Sequence, residues 1–482
     1  MDLAYATARQ IAKAIAGGKI SCTEAVKAQI ARIEALDGAL NAVVVRDFDR
    51  ALATARNHDR QRKKAAKLPP LFGVPMTVKE SYDVAGLPTC WGVPEALHVA
   101  EADALAITRL KAAGAIITGK TNVPVLLMDW QARNPVYGQT NNPWDVTRWA
   151  GGSSGGSAVS LAAGFASLEA GSDIGGSLRD PAHFCGVYAH KPTWNLLPLL
   201  GHSLAGGVVP TDLSVIGPMA RSAGDLDVAL RLMAGPAPIE RGLRLALPQP
   251  RQRGLRGLRV AILADHPSAP VEREIVASLH ELARHLKSEG AKVSLTARPA
   301  LNLAAANETY LTLLNAALSA RIPDDRIAVM RALLAKAGPA RADEDFAVRD
   351  SRSTLIEHRL WLRLNEERHR ARLAWDQFFE SWDVLIAPVA SIAAQPHDPV
   401  HGLADRRVMV NGEDRAFIEQ LFWAGIATMP LLPATSAPLG FTEAGLPFGM
   451  QILGAPYEDR TTIAVAAALE TSWLGFQRPP HF

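Results

Sequence analysis

The stretch Gly151-Gly-Ser-Ser-Gly-Gly-Ser157, followed closely by Gly171-Ser-Asp-Ile-Gly-Gly-Ser177, decides how this sequence folds and what chemistry it can perform. Glycine has no Cβ and tolerates strained backbone angles, so runs of this kind can hold a tight turn. Such a turn points several N–H groups at one position, which is the geometry of an oxyanion hole. The second run ends on a serine, Ser177.

Phosphate binding is the first alternative for glycine-rich loops. No two glycines lie two residues apart, so the G-x-G-x-x-G pattern is absent, and neither run ends in Gly-Lys. The stretch Gly114-Ala-Ile-Ile-Thr-Gly-Lys-Thr121 does match the G-x-x-x-x-G-K-[ST] pattern. Its intervening residues are strand-like, however, and the following Asn122-Val-Pro124 blocks a helix, so the sequence predicts a strand and no nucleotide site.

Upstream of the glycine runs, a buried strand is predicted over Leu71-Phe-Gly-Val-Pro-Met-Thr-Val-Lys79, with Lys79 at its end. Residues 103–113 have a helical pattern, and residues 115–118 are predicted to form another strand. The order strand, helix, strand favours a largely parallel sheet. At the start of the chain, Ser21-Cys-Thr-Glu24 forms a capping box and predicts a helix.

Downstream, residues 258–263 and 384–387 are predicted strands, and the first of them precedes a helix with Ile275, Leu279, Leu282 and Leu286 on one face. Residues 236–257 are rich in Pro, Arg and Gly and are interpreted as a linker-like loop. Residues 258–380 are predicted to be a variable and mostly helical portion.

The composition is that of a globular protein, with 482 residues, 48% hydrophobic and 21% charged. A net charge of +3 without long basic runs argues against a nucleic-acid surface. The three cysteines, Cys22, Cys90 and Cys185, show no paired spacing, and we find neither an export signal nor a membrane span. We therefore expect a cytoplasmic protein that binds neither nucleic acid nor membrane.

The glycine runs, together with Val78-Lys79-Glu80 upstream, resemble the amidase signature family in order and arrangement, and Ser153 and Ser177 are 24 residues apart as in that family. The similarity extends through Arg179 and Phe184-Cys-Gly186 to Leu446-Pro-Phe-Gly-Met-Gln451, and is weakest over 236–350. The resemblance implies one amidase domain over 1–482. It also implies an α/β fold with a single large mixed, mostly parallel β-sheet flanked by α-helices.

Residue by residue, the resemblance makes Ser177 the acylated nucleophile, Ser153 the bridging serine after a cis peptide bond, and Lys79 the general base. The oxyanion hole would comprise the amides of Ile174, Gly175, Gly176 and Ser177. A serine hydroxyl is a poor nucleophile until a base takes its proton, and a lysine can be that base only if burial keeps it neutral. The activity implied is hydrolysis of a small-molecule carboxylic amide, with esters and carbamates left open.

The resemblance implies no cofactor, and the histidine spacings predict no metal site. Substrate-pocket residues are expected in a segment that resembles part of the acyl pocket, namely Leu127, Met128 and Trp130, which favours an apolar or aromatic acyl group. A homodimer is left open.

Three alternatives stay open. The chain could be a glutamyl-tRNA amidotransferase A-type subunit, although Asp180 stands where that branch commonly has glutamine. Cys185 with Lys79 and Glu80 supplies the residue types of a cysteine-dependent amide hydrolase. A non-catalytic binding protein on the same fold is the third. The sequence assigns no role to Asp180, His183, Tyr188 or His190, which also depart from the family pattern.

Overall fold

The computed structural model describes residues 1–340, 345–403 and 405–482. Its α-helices are α1 (Ala8–Ala16), α2 (Cys22–Leu40), α3 (Phe48–Arg62), α4 (Leu105–Ala112), α5 (Gly155–Ala162), α6 (Arg179–Cys185), α7 (Ala223–Met233), α8 (Arg273–Ser288), α9 (Leu303–Leu318), α10 (Asp324–Ala337), α11 (Phe346–Thr354), α12 (His358–Ser381), α13 (Leu421–Thr428) and α14 (Asp459–Ser472).

Its strands are β1 (Val43–Arg46), β2 (Pro75–Lys79), β3 (Pro88–Thr89), β4 (His98–Val99), β5 (Ile116–Thr121), β6 (Arg133–Asn134), β7 (Gly138–Gln139), β8 (Asn141–Asn142), β9 (Asp145–Trp149), β10 (Leu168–Asp173), β11 (Tyr188–Lys191), β12 (Val215–Ala220), β13 (Arg259–Ile262), β14 (Lys292–Ser294), β15 (Val384–Pro388), β16 (Arg407–Val410), β17 (Glu413–Ala416), β18 (Ala434–Phe441) and β19 (Pro447–Leu453).

The central sheet is mixed and has the strand order β10-β12-β11-β18-β19-β15-β13-β14. An α/β fold with a large mixed sheet and flanking helices is therefore confirmed. The expectation that most strands run parallel is wrong, because only β13 pairs in parallel, with β14 and β15, and the other neighbours are antiparallel. The physical reason is visible at β18 and β19, which are joined by residues 442–446 alone, too short a connection for a parallel crossover.

The strand that carries Lys79 does not belong to that sheet. β2 pairs with β5 in parallel, and β5 pairs with β1 antiparallel, so these strands form a separate three-stranded sheet. The strand, helix, strand order that suggested a parallel sheet is thus β2, α4 and β5, and the parallel pair β13 and β14, joined through α8, has the same order. The expectation of a single sheet is corrected accordingly.

Several local predictions are confirmed by the structure. Ser21 caps α2 and Glu24 caps it reciprocally, as the capping box predicts. The stretch that matches the phosphate-loop pattern contains strand β5, whose residues are all buried, and the Lys120 Nζ donates a 2.7 Å hydrogen bond to Thr89 Oγ1. The predicted strands around 260 and 385 are β13 and β15, and the helix between the first of them and β14 is α8.

Helix α5 carries the first glycine run into the core. All eight of its residues, Gly155 to Ala162, are buried. A Cβ added to Gly156 would lie 2.4 Å from the backbone nitrogen of Asn122, so only glycine permits this close approach. The small residues of the run therefore let α5 pack directly against the end of β5 and fix the loop that precedes it.

Residues 236–257 contain no helix or strand, and most of the described residues between Leu303 and Ser381 belong to the helices α9 to α12. Among them, α9 packs against α11 and α12, and it also packs against α13. None of the helices in the described ranges is long and apolar enough to cross a bilayer.

Candidate active site

Three separated segments bring Lys79, Ser153 and Ser177 into one region. Lys79 ends strand β2, Ser153 lies in the loop before α5, and Ser177 lies between β10 and α6. The Lys79 Nζ donates hydrogen bonds to Ser153 Oγ at 2.7 Å and to Ser172 Oγ at 2.9 Å. Two of the three residues predicted for the reaction are therefore in direct contact, although 74 positions separate them in the chain.

The surroundings of Lys79 favour its neutral form. Its side chain is completely buried, and this burial lowers the pKa of Lys79 to about 7. The carboxyl groups of Asp173, Asp180 and Glu169 act in the opposite direction, and the guanidinium of Arg321 adds to the lowering. A substantial fraction of Lys79 is thus unprotonated near neutral pH, as a general base requires.

Ser153 is held by its backbone. The peptide bond between Gly152 and Ser153 is cis, as the resemblance implies. The Gly152 amide donates a hydrogen bond of 2.9 Å to Asp180 Oδ1. A Cβ on Gly152 would lie 2.3 Å from the carbonyl oxygen of Asp129, so the glycine is required for this packing.

Ser177 is the last residue of the second glycine run and is 5% exposed. Its carbonyl oxygen accepts a 3.2 Å hydrogen bond from the Ser154 amide, which ties the nucleophile segment to the bridging-serine loop. The Ser177 hydroxyl has no hydrogen-bond partner among residues 1–340, 345–403 and 405–482, and the residue lines a cavity. The hydrogen bond between the Ser153 and Ser177 hydroxyl groups that a proton relay needs is therefore not formed in this structure.

The candidate oxyanion amides differ in their availability. The Gly176 amide donates a 3.0 Å hydrogen bond to Asp173 Oδ1, so it is already engaged. The amides of Ile174, Gly175 and Ser177 have no acceptor within the described part of the chain. Three of the four predicted donors are thus free to bind a developing oxyanion, and Gly176 supports the turn instead.

Asp173 is the residue that shapes this turn, and sequence reasoning missed it. Its carboxylate accepts hydrogen bonds from the amides of Gly176 and Leu178 and from two nitrogens of Arg179, each at 3.0 or 3.1 Å. These donors, with the Arg179 charge, hold the pKa of Asp173 below its usual range despite complete burial. The short Asp173 to Arg179 spacing was the available signal, because it places both ends of an ion pair around one turn.

A cavity of about 430 Å³ opens in front of Ser177. The predicted pocket residues Leu127, Met128 and Trp130 all line it, beside Ile174 and Gly175. Trp130 is fixed by a 3.0 Å hydrogen bond from its Nε1 to the Gly175 carbonyl oxygen. The other apolar lining comes from distant segments that the sequence did not identify: Leu314, Leu318, Phe346, Leu403, Ile418 and Leu421.

The cysteine alternative does not fit this geometry. Cys185 is fully buried in α6, and burial raises the pKa of its thiol well above the usual value. A thiol kept protonated in this way is a poor nucleophile. Glu80, the acid of that alternative, accepts hydrogen bonds from the amides of Cys90 and Trp91 and therefore holds the backbone of that loop.

Two of the histidines without a predicted role are structural. His183 Nδ1 accepts a hydrogen bond from the Gly449 amide at 2.9 Å, and its Nε2 lies 2.9 Å from the Ile392 carbonyl oxygen. Burial lowers the pKa of His183 to about 4, so it is a neutral link between two chain segments. His190 contacts Asp459 at 3.1 Å in the core and joins β11 to the start of α14.

The chain is similar to known proteins over nearly its whole length. A family model described as Amidase matches residues 24–463. Indoleacetamide hydrolase of Bradyrhizobium diazoefficiens is 31% identical over 468 residues, covering 95% of this chain and 85% of that protein. The A-type subunit of the glutamyl-tRNA(Gln) amidotransferase of Moorella thermoacetica is 31% identical over 503 residues, covering 100% of this chain and 99% of that protein.

A solved structure gives the same result for the fold. It belongs to a vestigial protein complex that bears on the evolutionary origins of an s-triazine catabolic enzyme, and is similar at a TM-score of 0.82 with 28% identity. The similarity covers 98% of this chain and 99% of the other.

Proposed function

Since this chain belongs to the amidase signature family and is an amide hydrolase, we propose that it cleaves its substrate through an acyl-enzyme on Ser177. In this mechanism Ser153 relays the proton of Ser177 to Lys79. The observation that carries the proposal is the 2.7 Å hydrogen bond between a fully buried Lys79 and Ser153. A lysine buried beside a serine and without a direct carboxylate contact is suited to accept a proton rather than to hold a charge.

The first half-reaction forms the acyl-enzyme. Ser177 Oγ attacks the carbonyl carbon, its proton passes to Ser153 Oγ, and the Ser153 proton passes to Lys79 Nζ. The carbonyl oxygen becomes an oxyanion, which the free amides of Ile174, Gly175 and Ser177 bind; one such donor typically contributes about 3 kcal/mol to the transition state. The C–N bond then breaks, and the departing nitrogen takes a proton back along the same path.

The second half-reaction reverses the roles with water. A water molecule attacks the ester carbonyl of the acyl-enzyme and delivers a proton through Ser153 to Lys79. The C–O bond to Ser177 breaks, the serine regains its proton, and the carboxylic acid leaves. The products are one acid and one amine or ammonia, so the reaction consumes only amide and water.

The cavity supports an apolar acyl group in the substrate. Trp130, Leu314, Leu421 and their neighbours present hydrocarbon and aromatic surface next to Ser177. Burying hydrocarbon there stabilises the complex by about 0.8 kcal/mol per methylene, which corresponds to roughly a fourfold gain in kcat/KM for each methylene. Aryl-alkyl and aliphatic amides that fit about 430 Å³ are therefore the proposed substrate class.

A panel of amides with one common amine and acyl groups of increasing length tests this proposal. The purified chain alone, without ATP, metal or a second protein, is expected to release amine, and kcat/KM should rise with acyl length until the cavity is filled. Ser177→Ala is the control for contaminating hydrolases.

Turnover that appears only with ATP and partner proteins would instead favour an amidotransferase, which similarity to the A-type component of a glutamyl-tRNA(Gln) amidotransferase makes the second candidate. Saturable binding of amides without any turnover would favour a non-catalytic binding protein.

A further inference from the structure

Asp180 occupies the space between the two glycine runs, and the mechanism above gives it no task. It is the second residue of α6 and is completely buried. Its Oδ1 accepts the 2.9 Å hydrogen bond from the Gly152 amide, and its own amide donates 2.7 Å to the Gly176 carbonyl oxygen. A Cβ on Gly151 would lie 2.7 Å from Asp180 Oδ1, and one on Gly176 would lie 3.3 Å from Oδ2. The carboxyl group thus touches the loop before Ser153 and the turn before Ser177.

Comparison with Asp173 shows what form this carboxyl group takes. Asp173 is equally buried, yet it receives two backbone amides and two nitrogens of Arg179. Asp180 receives one amide on Oδ1, and its buried Oδ2 has no partner within the described ranges. A buried negative charge needs a counter-ion or several donors, and Asp180 has neither in direct contact. Two neighbouring carboxyl groups in such different surroundings are expected to differ in protonation.

The electrostatic surroundings agree with this comparison. Burial raises the pKa of Asp180 well above its usual value, and the charge of Asp173 raises it further, while Arg179 and Lys79 act in the opposite direction. Lys79 in turn faces Asp173, Asp180, Glu169 and Arg321. An ionised Asp180 would favour the ammonium form of Lys79, which cannot accept a proton.

We propose that Asp180 is a positioning residue that acts as a neutral carboxylic acid. It holds the Gly152–Ser153 backbone against the nucleophile turn without placing a negative charge next to Lys79. The inference rests on the proposed function in one respect, namely that Lys79 works as the base. The geometric part, a single hydrogen bond from the bridging-serine loop to a neutral acid, does not depend on it.

Two substitutions distinguish the effect of the hydrogen bond that Asp180 accepts from the effect of a charge on its carboxyl group. Asp180→Asn keeps an oxygen for the Gly152 amide and is neutral at every pH, whereas Asp180→Leu has a similar size and removes the acceptor. Asp37→Leu is the matched control, because Asp37 is a buried carboxyl group that also accepts backbone amides, those of Ala42 and Val43, away from the site. The concentration of active sites is measured by titration with a fluorophosphonate, and folding is followed by circular dichroism.

We expect Asp180→Leu to lower kcat at least about tenfold with little change in KM, and Asp180→Asn to recover most of that loss. The acid limb of kcat/KM should stay at the same pH in Asp180→Asn, and Asp37→Leu should lower Tm without lowering kcat per active site. The infrared difference spectrum of wild type minus Asp180→Asn at neutral pH should contain the carbonyl band of a protonated carboxylic acid.

A carboxylate band in that spectrum, or an acid limb that moves down by one pH unit or more in Asp180→Asn, would overturn the neutral form. Undiminished kcat in Asp180→Leu would overturn the positioning role. If Asp180→Leu fails to fold, the infrared band and the pH profile of Asp180→Asn still decide whether Asp180 is neutral. If Lys79→Met proves active, the acid limb no longer reports on Lys79 and the infrared band alone decides the protonation state of Asp180, so failure of the proposed base is recognised separately.

Discussion

Protonation of Lys79 should control the rate of this enzyme, and the structure gives the pH at which it does so. With the pKa of Lys79 lowered to about 7 by burial, the neutral fraction is about a tenth at pH 6, half at pH 7 and nine-tenths at pH 8. An ordinary exposed lysine would be neutral in only roughly 0.04% of molecules at pH 7. Burial therefore raises the concentration of active base on the order of a thousandfold.

We expect kcat/KM for amide hydrolysis to rise with pH through an apparent pKa near 7 and to level off above pH 8. The value of kcat/KM rises with pH because the neutral amine of Lys79 is the active form and acid converts it to the ammonium form. Fluorophosphonate labelling of Ser177 should follow the same curve, since the same base takes the serine proton. Lys79→Arg should lower kcat/KM by at least about 1,000-fold, because a guanidinium keeps its proton throughout this range.

The matched control is Lys191→Met. Lys191 is also fully buried with a pKa lowered to about 7 by burial, but its Nζ donates to the carbonyl oxygens of Pro192 and Leu432, away from Ser153. Its replacement should leave the acid limb near pH 7. Hydrolysis by Lys79→Arg within tenfold of wild type, or an acid limb that moves in Lys191→Met, would refute the assignment of the base.

Three further predictions have definite expected outcomes. Ser153→Ala should lower kcat at least about 100-fold with a similar KM, because the relay loses its middle hydroxyl; steady-state kinetics decides, and an unchanged kcat would exclude a bridging role. Gly176→Ala should lose about tenfold more activity than Gly175→Ala, because Gly176 has a φ of +97° whereas a Cβ on Gly175 meets nothing closer than 3.5 Å, and equal losses would contradict this. His183→Ala should reduce the free energy of unfolding by about 3 kcal/mol in urea titration without lowering kcat, since a buried donor and acceptor lose their partner; a stable variant with low kcat would place His183 in the site instead.

Much of the site follows from the sequence because its chemistry lies in short contiguous stretches. The two glycine runs specify tight turns by composition alone, and the apolar run before Lys79 specifies a strand that ends on it. The structure brings Lys79 and Ser153 together and sets Ser177 at the cavity, next to Leu127, Met128 and Trp130.

Other features depend on contacts that no local pattern encodes. The antiparallel pairing of β11 with β18 and the separate sheet of β2 are set by tertiary packing. The cavity wall contributed by Leu314 and Leu421 comes from helices more than 130 residues beyond the glycine runs. The engagement of the Gly176 amide by Asp173 likewise depends on side-chain geometry within the turn, which composition does not reveal.

Covalent labelling of the wild-type protein tests the central claim most directly. A fluorophosphonate forms a bond from serine oxygen to phosphorus and releases fluoride, so peptide mapping by mass spectrometry identifies the nucleophile. We predict one modification per chain, on Ser177, that abolishes amide hydrolysis and is absent in Ser177→Ala. Modification of another residue, or loss of activity to iodoacetamide through Cys185 while the fluorophosphonate has no effect, would contradict it.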